Sequence, residues 1–256
     1  KEPGYRGRLN ESCVTIAEVL GSAGYTTLMS GKYHVTHYDY ENPEPTLHRE
    51  TWPRQRGFDR FFGTLSGSGS YYKPVSLMSD NEFIEPPEGF YYTDAISDHA
   101  AKFIAEAPAE KPFFLYTAYT APHWPLHALK EDIEKYKEVY RIGWDKIREQ
   151  RRERMLTLGL IRPEWPLTER DDRIKSWEKT ENKEWEIHRM AVYAAQIDRM
   201  DQGVGRIVKA LEDTNRMDNT LILFLADNGG CDEIAGGKKT RHGDFPRGGT
   251  TPEFFP

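Results

Sequence analysis

A doubly wound α/β fold, with a mainly parallel sheet and helices on both faces, is what this chain of 256 residues predicts. Three runs are apolar or β-branched with no polar alternation: TTLMSGKYH (26–34), PFFLYTAYTAPH (112–123) and LILFLADNGG (221–230). Such runs are expected of strands covered on both faces. A helix pattern precedes each run, as in parallel strands joined by crossovers. In such a sheet the loops that follow the strands gather on one edge, where ligands bind.

The elements follow in order. TIAEVLGSAGY opens with Thr15 and, three residues on, Glu18, a capping-box pattern, and closes at Gly24, which can take the left-handed turn that ends a helix. The first strand comes next, breaks at Gly31 and presents Lys32 and His34. From Thr36 to about Pro87 the chain is rich in Pro, Gly and aromatics, which predicts irregular structure with short strands at most. DAISDHAAKFIAEA places Ala95, Ile96, His99, Phe103 and Ile104 near one helical face, and the second strand runs from there to Pro122 and His123. Charges of both signs dominate from about 130 to 186, a solvated helical excursion. A long helix from about Glu184 to Asn215 carries Ile187, Met190, Ala194, Ile197, Val204, Val208 and Leu211 on one face. Asp201 falls on that stripe and reads as structural. The third strand then delivers Asp227 and Asn228.

Composition narrows the function. Hydrophobic residues make up 38% and charged residues 30%, and no apolar run reaches the roughly 18 residues of a membrane span. A formal net charge of -6 argues against a nucleic-acid partner, because phosphate backbones select clustered positive excess. Cys13 and Cys231 allow a disulfide or two thiols, and buried thiols are the preferred reading. The first residues lack a signal-peptide core and the last resemble mid-loop sequence, so the chain reads as an interior piece.

Taken singly, the polar groups after each strand have ordinary structural readings. Lys32 and His34 could be surface groups, Pro122-His123 a strand end, and Asp227-Asn228-Gly229-Gly230 a turn. Their conjunction on one sheet edge points instead to an anion site beside a divalent metal. Carboxylate and amide oxygens suit Ca²⁺ or, less well, Mg²⁺, rather than Zn²⁺.

TIAEVLGSAGYTTLMSGKYH, RGFDRFFGTLSGSGSYYKP, PFFLYTAYTAPHWPLHA, YAAQIDRMDQGVGRIVKALE and TLILFLADNGGC together resemble the type I sulfatases of the alkaline phosphatase superfamily, over nearly the whole chain. The resemblance implies hydrolysis of a small-molecule or glycan sulfate ester at a Ca²⁺-bound formylglycine, made from a Cys or Ser in a C/S-x-P-x-R motif. It implies that Lys32 and His34, in GK-x-H, bind the sulfate and the formylglycine diol, with His34 helping to break down the sulfated intermediate. By the same resemblance His123 is expected to contact sulfate, and Asp227 with Asn228 to hold the metal. It also implies a periplasmic, secreted or lysosomal setting.

Departures from the family pattern are specific. Tyr33 stands where Trp is usual, and neither CVTIA at Cys13 nor CDEIA at Cys231 fits the nucleophile motif. The N-terminal Asp-Asp pair and the Lys-containing Glu-Gly-Gly loop after DNG have no counterpart, and Lys238 and Lys239 do not supply one. The chain therefore reads as a sulfatase catalytic domain truncated at both ends, without its nucleophile segment and C-terminal subdomain, and expected to be inactive alone. A phosphomonoester or phosphonate hydrolase of the same superfamily and a non-catalytic anion-binding module are the alternatives.

Overall fold

The computed structural model describes residues 7–38, 48–67 and 69–229. The chain divides into two compact units, 1–127 with 197–256, and 128–196.

The first unit is built on a five-stranded mixed sheet. Its strands are β1 (Thr26–Lys32), β2 (Arg60–Thr64), β3 (Leu77–Ser79), β4 (Glu82–Phe83) and β5 (Phe113–Ala118), in the spatial order β4-β3-β2-β1-β5. β1 lies parallel to both neighbours, with Met29 opposite Phe61 and Tyr116, whereas β3 and β4 are antiparallel additions on one side. β2, β3 and β4 all fall in the stretch read as irregular from its composition. They are short and two of them come from a meander, so the composition around them dilutes any pattern.

α1 (Ile16–Ser22) begins as its sequence predicts. The Thr15 hydroxyl accepts from the Glu18 amide at 3.1 Å, and the Glu18 carboxylate accepts from the Thr15 amide at 2.7 Å. Arg56 completes the arrangement by donating to Glu18 Oε1 at 2.9 Å and to the Cys13 carbonyl at 2.7 Å. Its guanidinium, with the Thr15 amide, holds the Glu18 carboxyl below the usual carboxylate range. Gly24, at φ +88°, takes the left-handed turn into β1.

One face of the sheet packs Met29, Phe61 and Met78 against Ala17 of α1, together with Tyr33, Trp52, Phe58 and Leu65. The other face belongs to α2 (Tyr92–Glu106). There the Ser30 hydroxyl donates to the Ile96 carbonyl at 2.7 Å, Phe62 stacks on His99 at 3.5 Å, and the Tyr92 hydroxyl donates to Thr64 at 3.1 Å. The two faces alternate residue by residue, as a two-sided strand requires. The sheet thus has helices on both faces, as predicted.

The second unit is helical: α3 (Lys130–Tyr140), α4 (Gly143–Thr157) and the first part of α5 (Lys183–Asp213). Its charges engage locally. Asp145 accepts from Arg170 and from the Trp177 amide, and Lys137 pairs with Glu134. The later part of α5 belongs to the first unit, where Asp94 of α2 receives Arg199 at 2.8 and 2.7 Å and Arg206 at 2.8 Å. Asp201 is exposed.

Two expectations are corrected. The run 221–226 forms no strand and joins no ladder among the described residues, and Leu221, Leu223, Phe224 and Leu225 are 83%, 75%, 74% and 74% exposed. An apolar run becomes a sheet strand only when a neighbour satisfies its amides and carbonyls, and none of the described strands flanks it. Cys13 is an exposed free thiol rather than a buried one, set on the approach to α1 with its Sγ donating to the Asn10 carbonyl at 3.2 Å. Cys231, Gly230, Lys238 and Lys239 lie outside the described residues.

Candidate active site

The parallel strands β1 and β5 end side by side, so the chain segments that follow them leave the sheet at one edge. Lys32 closes β1, half-buried, and the chain continues alongside β2: the Tyr33 amide donates to the Thr64 carbonyl at 2.9 Å and the His34 amide to Leu65 at 3.2 Å. His34 sits at φ +53°, a left-handed conformation uncommon for a residue with a Cβ. Strain of this kind persists where surrounding structure over-determines it, and it clusters at functional sites.

Glycines allow the strands to close at this point. Gly31 and Gly63 face each other across β1 and β2, at φ +124° and +153°. A Cβ on Gly31 would strike the Ala118 backbone, and one on Gly63 would strike the Gly31 backbone. Gly67 acts on the side chain instead, since a Cβ there would occupy the place of the His34 imidazole. Gly67→Ala is therefore expected to push that ring aside with little loss of stability. An ångström of displacement can cost about 10²-fold in rate, which a comparison of kcat with the thermal midpoint would reveal in the full-length protein.

His123 follows β5. Its backbone amide donates to the Thr120 carbonyl at 2.8 Å, and both Ala121-Pro122 and Trp124-Pro125 are cis. The His123 Nδ1 lies 2.6 Å from the Trp124 carbonyl, a contact that requires the proton on Nδ1 and leaves Nε2 facing outward from it. Tyr71 anchors this loop twice. Its hydroxyl donates to the His123 carbonyl at 2.9 Å, and its amide donates to His127 Nδ1 at 3.4 Å. Tyr71 is a positioning residue that nothing in the pattern SGSGSYY distinguishes from an ordinary loop aromatic.

His127 is buried, and desolvation pushes its pKa from 6.5 down to about 4. Because the folded value lies below the unfolded one, its contribution is complete above pH 6.5 and is lost as pH falls towards 4. Protonation also removes the lone pair that receives the Tyr71 amide. The loss is at most about 3 kcal/mol, and His99, also lowered to about 4 by burial, shifts stability in the same direction. Urea midpoints at pH 7 and pH 4.5 should differ less in His127→Gln than in the unsubstituted protein.

Electrostatically the segments act on one another. Burial lowers the Lys32 pKa, while the Asp227 carboxylate opposes that shift. His34 is lowered first by desolvation, then by the charges of Lys32 and His123. Charge influence thus links Lys32 with Asp227, and His34 with Lys32 and His123, across the ends of β1 and β5 and the segment 221–229. Asn228 adjoins Asp227, and its Nδ2 donates to the Gly229 carbonyl at 2.8 Å, so its oxygen is the atom left available for a ligand.

Asp227 and Asn228 are exposed and offer hard oxygen donors of the kind Ca²⁺ or Mg²⁺ takes. They are two side chains where Ca²⁺ takes six to eight ligands, and among the described residues no group of three or more His, Cys, Asp or Glu is arranged around a metal. Donor chemistry therefore fits, and further donors would have to come from elsewhere. Tyr33 packs edge-on to Phe61 at 6.4 Å, and its buried hydroxyl has no hydrogen-bond partner among the described residues.

A mixed α/β sheet with helices on both faces, from which Lys32 and the His123 loop leave at one edge, sets the frame for comparison with known proteins. The Sulfatase family profile matches residues 2–255, and the chain belongs to the Sulfatase family. It is 33% identical to an uncharacterized sulfatase of Schizosaccharomyces pombe, over 89% of this chain and 43% of that protein. It is 35% identical to an arylsulfatase of Klebsiella aerogenes, over 88% of this chain and 49% of that one. The chain thus spans about half the length of these relatives or less. Among solved structures, BT4656 in complex with its substrate D-glucosamine-2-N,6-O-disulfate shares the fold, with a TM-score of 0.53 at 22% identity over 83% of this chain and 49% of that one.

Proposed function

We propose that the protein containing this chain hydrolyses sulfate esters, with Lys32, His34 and His123 as the sulfate-handling groups and Asp227 with Asn228 as part of a Ca²⁺ site. What supports this most is that β1 and β5 end side by side, so that Lys32, His34 and His123 leave the sheet at one edge, with the charges of Lys32 and His123 acting on His34 and that of Asp227 on Lys32.

The overall reaction adds water across the ester, releasing the alcohol and hydrogen sulfate. Ca²⁺ at Asp227 and Asn228 would supply fixed positive charge opposite the sulfate oxygens, and a formylglycine from a C/S-x-P-x-R segment would supply the attacking hydroxyl. The residues of this chain do the rest. Lys32 neutralises a sulfuryl oxygen from a fixed position, so no solvent has to reorganise as charge moves to the leaving oxygen. His34, whose pKa burial and its cationic neighbours lower, is neutral over more of the pH range than an ordinary histidine and can accept a proton. His123 has its Nδ1 proton committed to the Trp124 carbonyl, so Nε2 is the ring atom left to meet the substrate. The substrates that fit this reading are aryl or glycan sulfate esters, and the family setting is periplasmic, secreted or lysosomal.

The test compares a chromogenic aryl sulfate with the matching aryl phosphate, using the full-length protein and its Lys32→Ala variant. Sulfate turnover should predominate and fall by about 10²- to 10³-fold in the variant. Faster turnover of the phosphate ester would move the assignment to the phosphomonoester branch. Binding of both without turnover would favour an anion-binding module.

A further inference from the structure

Beside His34 opens a cavity of about 360 Å³, within the size range of small-ligand sites. Its walls include Arg8, His34, His37, Ser66 and Gly67. Residues 7–9 are held against the His34 loop by the Leu9 amide, which donates to the Val35 carbonyl at 3.0 Å. Arg8 is half-buried, and its guanidinium is not neutralised by a carboxylate among the described residues. Instead its Nη1 lies 2.9 Å from His48 Nε2, whose other ring nitrogen is 3.4 Å from the exposed Glu50. The guanidinium can only donate, so His48 accepts there, fixing the Arg8 side chain while leaving its charge in place. His37 stands edge-on to His48 at 6.1 Å and adds two more ring nitrogens to the same wall.

We propose that this cavity receives the alcohol portion of the substrate, and that Arg8, with His37 and His48 behind it, pairs there with a second negative charge on that portion, a carboxylate or a second sulfate. The inference rests on the sulfatase reading, because it takes the ester to lie at Lys32, His34 and His123. His34 belongs to both places, so a molecule whose sulfate meets its imidazole extends directly into the cavity. A planar five-donor fork suits the bidentate geometry of a carboxylate or sulfate. An uncharged ring would leave the Arg8 guanidinium partly dehydrated and unmatched.

The experiment measures kcat/KM of the full-length protein for phenyl sulfate, 3-carboxyphenyl sulfate and benzene-1,3-disulfate. At least one doubly charged ester should be preferred by about 10- to 100-fold, the value of one charge-assisted pair. The arm that gains more identifies the second anion as carboxylate or sulfate. Arg8→Gln should bring the preference close to one, Arg8→Glu should reverse it, and His37→Gln should reduce it in part, with circular dichroism confirming that each variant folds. Equal use of all three esters by the unsubstituted protein, or a preference unchanged in both Arg8 variants, would overturn the subsite while leaving the sulfatase reading intact. Failure to turn over phenyl sulfate or either dianion would remove both.

Discussion

Asp227→Ala in the full-length protein is expected to lower kcat/KM for an aryl sulfate by roughly 10³-fold, the scale of removing a fixed electrostatic group from a charged transition state. The effect has two sources. Asp227 is the only formal negative charge among the proposed metal donors of this chain, so its loss weakens a hard-cation site more than loss of Asn228 does. It also opposes the desolvation of Lys32, and without it the ammonium is less favoured where the sulfate would be bound. The first source responds to Ca²⁺ concentration and the second does not. Activity that recovers partly as Ca²⁺ is raised would therefore apportion them. Undiminished turnover at low Ca²⁺ would refute the metal assignment.

Gly31→Ala should be the most damaging single methyl in the sheet, costing on the order of 4 kcal/mol or more, the range reserved for backbone collisions and buried defects. Gly31 is held at φ +124° and its missing Cβ position lies inside the Ala118 backbone, so neither rotation nor side-chain repacking relieves the contact. The strands β1 and β5 would have to separate at their carboxyl ends, carrying Lys32 and the His123 loop with them. Gly63→Ala should act in the same way through the Gly31 carbonyl. Urea denaturation of the three proteins would measure the cost. A change in midpoint equivalent to less than about 1 kcal/mol in both would mean that the strands are spaced more widely than described.

Much of this was legible from residues alone, and the reasons differ by element. Thr15 and Glu18 make a local motif whose bonds close within four residues, so α1 could be placed without tertiary knowledge. β1 is buried through its middle and β5 is half-buried except at Tyr116, and both are runs long enough for their composition to show. β2 was obscured because Gly63 interrupts its apolar pattern for the sake of close approach to β1. The run 221–226 misled in the opposite direction: apolar composition expresses a demand for burial, while strand identity depends on a hydrogen-bonding neighbour. Lys32, His34, His123, Asp227 and Asn228 could be selected because each follows a strand-like run. Tyr71, Gly67 and Arg8 could not, since their roles depend on contacts across 52, 33 and 40 positions that no local pattern encodes.

The outer margin of β5 has a practical consequence for solubility. Among the described strands nothing pairs with that side of Phe113–Ala118, Tyr116 is 49% exposed, and the uncovered leucines and phenylalanine of 221–225 add greasy surface. Margins of this kind template sticking between molecules. What keeps such molecules apart in solution is their like charge, and here that amounts to a formal -6 that vanishes near the pI of about 5.8. Isolated, this chain should cloud on acidification through that pH and clear again in alkaline, low-salt buffer, a colloidal behaviour set by its uncovered surface.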